Sequence, residues 1–76
     1  SGNEFGILKV LMKNPKRPVS REELMRSLWE SENFIDDNTL TVNVTRLRKK
    51  LEEIGLCGFI ETRKGLGYQI REEQIG

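Results

Sequence analysis

Two kinds of hydrophobic spacing succeed each other along the chain. Apolar residues recur every three or four positions in residues 3–13, 21–30 and 39–51, which is the spacing of helices that bury one face. Two short β-like runs follow at 59–62 and 68–70, on either side of a glycine-bearing turn. The pattern therefore predicts three helices and then a β-hairpin.

Residues at the ends of these segments support the boundaries. Ser20 and Glu23 have the spacing of a capping box, in which the Ser20 hydroxyl accepts from the Glu23 amide and the Glu23 side chain reaches back. Either Asp37 or Asn38 is expected to cap the third helix, and Gly55 is expected to end it in a left-handed conformation. For the first helix, Asn3 is the candidate N-cap.

The third helix has two contrasting faces. At about 100° per residue, its apolar residues share one narrow sector, while four basic residues lie within five positions elsewhere on it. A helix anchored from behind that presents cations, amides and hydroxyls in front suits phosphates and base edges in a major groove. A solvated basic face is the simpler alternative. The apolar sector consists of Leu40, Val44, Leu47, Leu51 and Ile54, and the basic residues are Arg46, Arg48, Lys49 and Lys50.

Three helices followed by a hairpin make an α+β fold, the winged helix-turn-helix, in a single domain over residues 1–76 with a polar tail at 71–76. In this geometry the third helix enters the major groove and the hairpin, or wing, reaches the adjacent backbone or minor groove. The predicted wing tip contains Arg63 and Lys64. A basic helix together with a basic wing favours nucleic-acid binding over a merely solvated face.

Composition narrows the function classes further. The 76 residues have a net charge of only +1, but residues 20–37 contain six acids and two arginines, whereas residues 38–51 have a charge of +4. The chain has no His, and its one cysteine, Cys57, has no evident base partner and is expected to be a small core residue. Without a catalytic constellation, metal-ligand spacing or phosphate loop, the sequence predicts neither an enzyme nor a cofactor or metal site.

No stretch is long and apolar enough to span a membrane, and the beginning of the chain has no signal-peptide pattern. We therefore expect a cytoplasmic protein with no membrane partner.

Four segments together resemble the C-terminal effector domain of OmpR/PhoB-type response regulators, over about residues 4–70. They are VSREEL at 19–24, LW at 28–29, TLTVNVTRLRKKL at 39–51 and TRKGLGY at 62–68. Residues 34–40 and 64–68 further resemble regulators of peptide-antibiotic-resistance transporters in Gram-positive bacteria. The resemblance implies a bacterial two-component transcription factor that binds double-stranded DNA, contacts RNA polymerase, answers to a sensor histidine kinase, and forms a dimer on DNA in the full-length protein.

The resemblance also implies roles for individual residues. Arg46 would contact guanine, Asn43 adenine, and Val42 a thymine methyl group. For Trp29, burial in the core is as good an interpretation as a phosphate contact. For the loop at 31–37, a solvated loop with Phe34 packed into the core is at least as good an interpretation as a polymerase contact. The implied DNA-backbone contacts are Trp29, Thr45, Arg48, Lys49, Lys50, Thr62, Arg63 and Lys64. Arg48 lies on the flank of the helix near the protein body, so an internal acid is an alternative partner for it. The implied polymerase contacts are Glu32, Phe34, Ile35 and Asp36.

The chain departs from the family pattern in two ways. These 76 residues contain no segment that resembles the receiver domain with its phosphorylated aspartate, or the antiparallel sheet that precedes the first helix in the family. We therefore expect the apolar face of Phe5, Leu8 and Met12 to lack its usual cover. Two other classes of function stay open. A winged helix that binds protein rather than DNA fits the low net charge but leaves the basic face unexplained, and RNA binding is disfavoured by the lack of aromatic platforms on a sheet.

Overall fold

The computed structural model describes residues 2–31 and 35–71, in which three helices precede a two-stranded hairpin. The helices are α1 (Gly2–Lys13), α2 (Arg21–Glu30) and α3 (Asp37–Glu53), and the strands are β1 (Ile60–Arg63) and β2 (Gly67–Ile70). The predicted α+β winged helix-turn-helix is thus confirmed. Two of the predicted polymerase contacts, Glu32 and Phe34, lie outside the described residues.

The start of α2 agrees with its sequence signal. The Glu23 amide donates to the Ser20 hydroxyl at 3.0 Å, so the first half of the predicted capping box is present. The Glu23 carboxylate, which was expected to reach back to Ser20, accepts from Arg17 Nη2 at 2.8 Å. This hydrogen bond holds the pKa of Glu23 below its usual value.

Two other helix starts differ from the prediction. Asp36 caps α3, with extended backbone and a side-chain oxygen 2.8 Å from the Thr39 amide, whereas Asp37 and Asn38 are already helical. The first helix begins at Gly2, so Asn3 lies inside α1 and does not cap it. At the other end of α3, Gly55 has φ 93°, the predicted left-handed residue.

One apolar core joins the helices to the hairpin. From α3, Leu40, Val44, Leu47 and Leu51 are buried as predicted, but Ile54 is 73% exposed because the helix has ended before it. The core consists of Ile7, Leu11, Val19, Leu24, Leu28, Ile35, Leu40, Val44, Leu47, Leu51, Phe59, Ile60, Tyr68 and Ile70. Cys57 is exposed rather than part of this core.

The hairpin is pinned to the segment before α2. Its antiparallel strands pair Thr62 with Tyr68, and Tyr68 exchanges both backbone hydrogen bonds with Val19, at 2.7 and 2.9 Å. At Gly67, with φ 130°, an added Cβ would lie 2.0 Å from the Val19 carbonyl oxygen. Gly67 therefore serves the close approach of two backbones as well as the turn.

Candidate nucleic-acid interface

The side of α3 that faces away from the core holds a group of exposed residues. Val42, Thr45, Arg46 and Lys49 are all exposed, and we call them the outer face. Thr45 donates its hydroxyl to the Thr41 carbonyl at 3.0 Å. Within residues 2–31 and 35–71, neither Arg46 nor Lys49 forms a hydrogen bond or ion pair with the protein. The outer face thus presents two available cations.

Asn43 does not belong to this face. It is 5% exposed, and its amide nitrogen donates to the Thr39 carbonyl one turn earlier, at 2.8 Å. The prediction that Asn43 reads adenine is wrong for this structure, because an amide held against the helix backbone cannot reach a base edge. By helical rotation the residue lies at the edge of the apolar sector.

Arg48 was expected to hold a phosphate, but the structure directs it into the protein. Its Nε donates to the Ile60 carbonyl at 3.2 Å and its Nη2 to the Thr62 hydroxyl at 2.6 Å. The guanidinium carbon also lies 5.6 Å from the centre of the Tyr68 ring. Arg48 therefore joins α3 to both strands of the wing, which argues against a phosphate contact.

Lys50 also turns away from the outer face. Its Nζ is 2.6 Å from a carboxylate oxygen of Glu4 on α1, a side chain that is only 7% exposed. The hydrogen bond to Glu4 raises the pKa of Lys50. Because a buried carboxylate needs a cation beside it, this ion pair makes Lys50 part of the α1–α3 contact rather than the expected phosphate contact.

The wing contributes one available cation. Lys64 is exposed in the turn between the strands, and no hydrogen bond or ion pair holds it within the part of the chain that the structure describes. Arg63 is 3.3 Å from the Glu61 carboxylate and donates to Gln69 at 3.0 Å. Thr62 is exposed but already accepts from Arg48. Of the three predicted wing contacts, Lys64 is the least engaged.

Arg21, on the first turn of α2, is a central residue that the sequence reasoning missed. Its Nε and Nη2 contact the Asp37 carboxylate and carbonyl at 2.9 and 2.7 Å. It also donates to the Thr41 hydroxyl at 2.8 Å and to the Tyr68 hydroxyl at 2.7 Å. The hydrogen bond to Asp37 raises the pKa of Arg21 still further. Helical spacing gives no signal for these contacts, since Tyr68 lies 47 residues away.

The loop before α3 holds two of the predicted polymerase contacts that the structure describes, Ile35 and Asp36, and it buries one of them. Ile35 is 5% exposed within the core, so the prediction that it contacts polymerase directly is wrong for this structure. Asp36 remains exposed, and its bonds to Thr39 lower its pKa. Trp29 is 63% exposed, which contradicts the plain core interpretation. Trp29, Met25 and Ile35 together border a shallow apolar groove next to Asp36.

Over the described ranges, no group of His, Cys, Asp and Glu side chains is arranged to hold a metal ion. Nor does any helix in the described part of the chain have the length and hydropathy needed to cross a bilayer.

These features define a winged-helix domain with a cationic recognition helix. Residues 1–70 match the family described as "Transcriptional regulatory protein, C terminal", and the chain belongs to that family. It is an effector domain of the response-regulator type and not an enzyme.

Individual relatives agree with the family assignment. The chain is 58% identical over 73 residues to the sensory transduction protein BceR of Halalkalibacterium halodurans, covering 96% of this chain and 32% of the relative. It is 50% identical over 72 residues to the response regulator GraR of Staphylococcus aureus, covering 95% and 32%. The chain thus spans about a third of the length of these curated relatives.

Solved structures agree with the fold. The C-terminal domain of the nisin resistance regulator NsrR, a lantibiotic response regulator, has a TM-score of 0.84 and 50% identity, over 92% of this chain and 71% of that one. The DNA-binding domain of the response regulator AdeR, in complex with an intercistronic region, has a TM-score of 0.78 and 30% identity, over 92% and 69%. The family predicted from the sequence, including its peptide-antibiotic subgroup, is confirmed.

Proposed function

We propose that this chain binds double-stranded DNA sequence-specifically, with the outer face of α3 in the major groove and the wing on the adjacent backbone. One observation supports this most strongly. Arg46 and Lys49 extend from a helix whose other two cations are engaged within the protein, and a protein-binding winged helix would have little use for cations left available in this way. The DNA complex of AdeR, which shares the fold, supports the same proposal.

Within this interface, Arg46 and Val42 are the proposed base readers. A guanidinium offers two parallel donors to guanine O6 and N7, and a valine side chain packs against a thymine methyl group. Val42 is 45% exposed and precedes Arg46 by about one helical turn, so the two side chains face the same groove. Asn43 is left out because it is buried.

Lys49 and Lys64 are the proposed phosphate contacts, one on the helix and one on the wing. Thr62 and Trp29 are secondary candidates, because both side chains are exposed and carry groups of the type that donate to phosphate oxygens. Thr45 would have to turn its hydroxyl away from the Thr41 carbonyl to do the same. Each neutralised phosphate releases counterions, so binding should weaken steeply as salt rises.

A salt series tests the proposal. Fluorescence anisotropy with a mixed-sequence duplex should give a slope of log K against log salt that Lys49→Ala and Lys64→Ala each flatten by about one unit. Lys13→Ala, at the end of α1, is the matched control and should leave the slope unchanged. Binding without salt dependence would overturn the electrostatic basis, and absence of binding would favour the protein-interaction alternative.

The family further suggests how the domain is used, since the relatives are sensory transduction proteins and response regulators about three times as long. We propose that the complete protein is a cytoplasmic two-component regulator that answers to a sensor histidine kinase and binds DNA as a dimer. RNA polymerase is the proposed partner of the loop between α2 and α3, where Asp36 is an exposed acid at the start of the helix.

The polymerase proposal needs a variant that spares the helix cap. Asp36→Asn removes the charge and keeps a side chain that caps well, whereas Asp36→Ala removes both. In the full-length regulator, Asp36→Asn should lower transcription in vitro and leave promoter affinity unchanged. Equal loss in both assays would mean that Asp36 supports folding or DNA docking instead.

A further inference from the structure

The wing is joined to α3 by a small group of side chains, Arg21, Tyr68 and Arg48, which we call the arginine–tyrosine cluster. Both guanidinium carbons lie near the Tyr68 ring, at 5.9 Å for Arg21 and 5.6 Å for Arg48. Tyr68 is 7% exposed and is fixed in β2 by its pairing with Val19. A buried ring held by two backbones gives both cations a rigid surface on which to pack.

The cluster attaches the hairpin to α3 at two positions along the helix axis. Arg21 links Tyr68 to Thr41 on the first turns of α3, through hydrogen bonds of 2.7 and 2.8 Å. Arg48 lies about two turns further along and bonds directly to Ile60 and Thr62 of β1. A single attachment point would let the wing pivot, whereas two points also fix its angle to the helix.

The rest of the fold gives these side chains particular weight. At the backbone level, β2 packs against α1, and the shared apolar core joins the hairpin to all three helices. The side chains of Arg48 and Arg21 add the polar contacts between the hairpin and α3. Two cations of the proposed interface, Arg46 on α3 and Lys64 on the wing, are held by no hydrogen bond within the described residues. The distance between these two cations is therefore set by the contacts that join α3 to the hairpin.

We infer that Arg48 is a positioning residue, which acts with Tyr68 and Arg21 to hold the wing at the distance and angle from α3 at which both engage one duplex. The inference rests on the proposed DNA binding. It assigns Arg48 no contact of its own with DNA, because its Nε and Nη2 are already committed to β1.

The substitution that tests this is Arg48→Lys, which keeps the charge but loses the paired donors and the planar stacking group. In the free 76-residue chain, the backbone order parameters of residues 64–66 should fall from about 0.85 towards 0.6 or lower, while those of α2 stay high. A wing as rigid as in the unsubstituted chain would overturn the inference without any reference to DNA.

A double-mutant cycle on a mixed-sequence duplex provides the second readout. In the unsubstituted chain, Lys64→Ala should flatten the salt slope by about one unit. In the Arg48→Lys background it should flatten the slope by less than half as much, with affinities that are non-additive by about threefold or more. Lys49→Ala is the matched control, because Lys49 is on α3 itself and should have the same effect in both backgrounds.

The opposing outcomes are distinct. If Arg48 instead binds a phosphate, Arg48→Lys leaves the Lys64→Ala effect intact and Arg48→Met flattens the slope by about one unit. That result overturns the positioning role and keeps the proposed function. If the unsubstituted chain shows no salt-dependent binding, the proposed function fails while the wing measurement still decides the structural part. Should Arg48→Lys fail to fold, Thr62→Val removes one acceptor of Arg48 and enters the same cycle, with the same result expected.

Discussion

The outer face and the flanks of α3 make different uses of the same residue types. Arg46 and Lys49 extend from the outer face without intramolecular partners in the described chain, whereas Arg48 bonds to the hairpin and Lys50 to Glu4 on α1. All four lie within five positions and look alike as a charge run. What separates them is the direction that helical rotation gives each side chain, because each step of about 100° changes the neighbours it can reach.

A domain with a net charge of only +1 can therefore still present cations to a polyanion. The flank cations neutralise or bind groups of the protein itself and fix the helix and the wing in place. The outer cations remain for a partner. The net charge of a domain is therefore a poor guide to whether it offers a cationic surface to a polyanion. The cations without partners in the protein are a better guide.

Substitution on the core-facing side of α3 should change the stability of the domain more than any other substitution considered below. Leu47 is 5% exposed in the core, so Leu47→Ala should lower the free energy of unfolding by about 2–5 kcal/mol. Urea unfolding followed by circular dichroism measures this. Below the unfolding transition, the variant should keep the salt slope of DNA binding, and a changed slope would mean that the outer face is not independent of the core.

Arg46→Lys against Arg48→Lys is the sharpest test of the comparison itself. Arg46→Lys keeps the charge and loses the fork, so it should cost about 1–3 kcal/mol on a duplex selected from a randomised library and little on a scrambled one. Arg48→Lys should weaken both duplexes alike, since it disturbs the wing. Competition binding measures both, and the division of roles fails if Arg46→Lys weakens the two duplexes equally or neither.

Lys49→Ala and Lys50→Ala form a pair of neighbouring substitutions with opposite expectations. Lys49→Ala should flatten the salt slope by about one unit, because its cation is available to a phosphate. Lys50→Ala should leave the slope nearly unchanged and instead destabilise the fold, because it removes the cation that lies 2.6 Å from the buried Glu4 carboxylate. Equal changes of slope would show that Lys50 exchanges Glu4 for phosphate on binding. Adding Glu4→Gln to Lys50→Ala should restore part of the stability.

The sequence predicts those parts of this molecule that local chemistry decides. The bounds of α2 follow from a cap and a period within one segment, and the buried stripe of α3 follows from the period alone. The burial of Asn43 could not be predicted, because it depends on how closely a neighbouring element approaches the edge of that stripe. The roles of Arg48 and Lys50 depend on partners in other elements, the hairpin and α1. Charge patterning predicted the face of α3 that carries the proposed interface, and tertiary contacts decided which of the cations on α3 stay available.

The smallest expected effect is a pH dependence at the start of α3. Hydrogen bonds to Thr39 hold the pKa of Asp36 below its unfolded value of about 3.9. Because the folded pKa is the lower one, the contribution of Asp36 to stability is present above the unfolded pKa and is lost as pH falls through the folded pKa.

Asp36→Asn keeps a capping side chain that does not titrate, so its urea midpoint should decline less steeply than that of the unsubstituted chain on acidification to about pH 3. Glu23→Gln is the matched comparison, since the pKa of Glu23, on α2, is lowered by Arg17 in the segment before that helix, away from this cap. The two substitutions should flatten the acid limb independently, because they lie at different helix starts. If the urea midpoints of Asp36→Asn and the unsubstituted chain fall equally on acidification, the negative charge of Asp36 adds nothing to the stability of the cap.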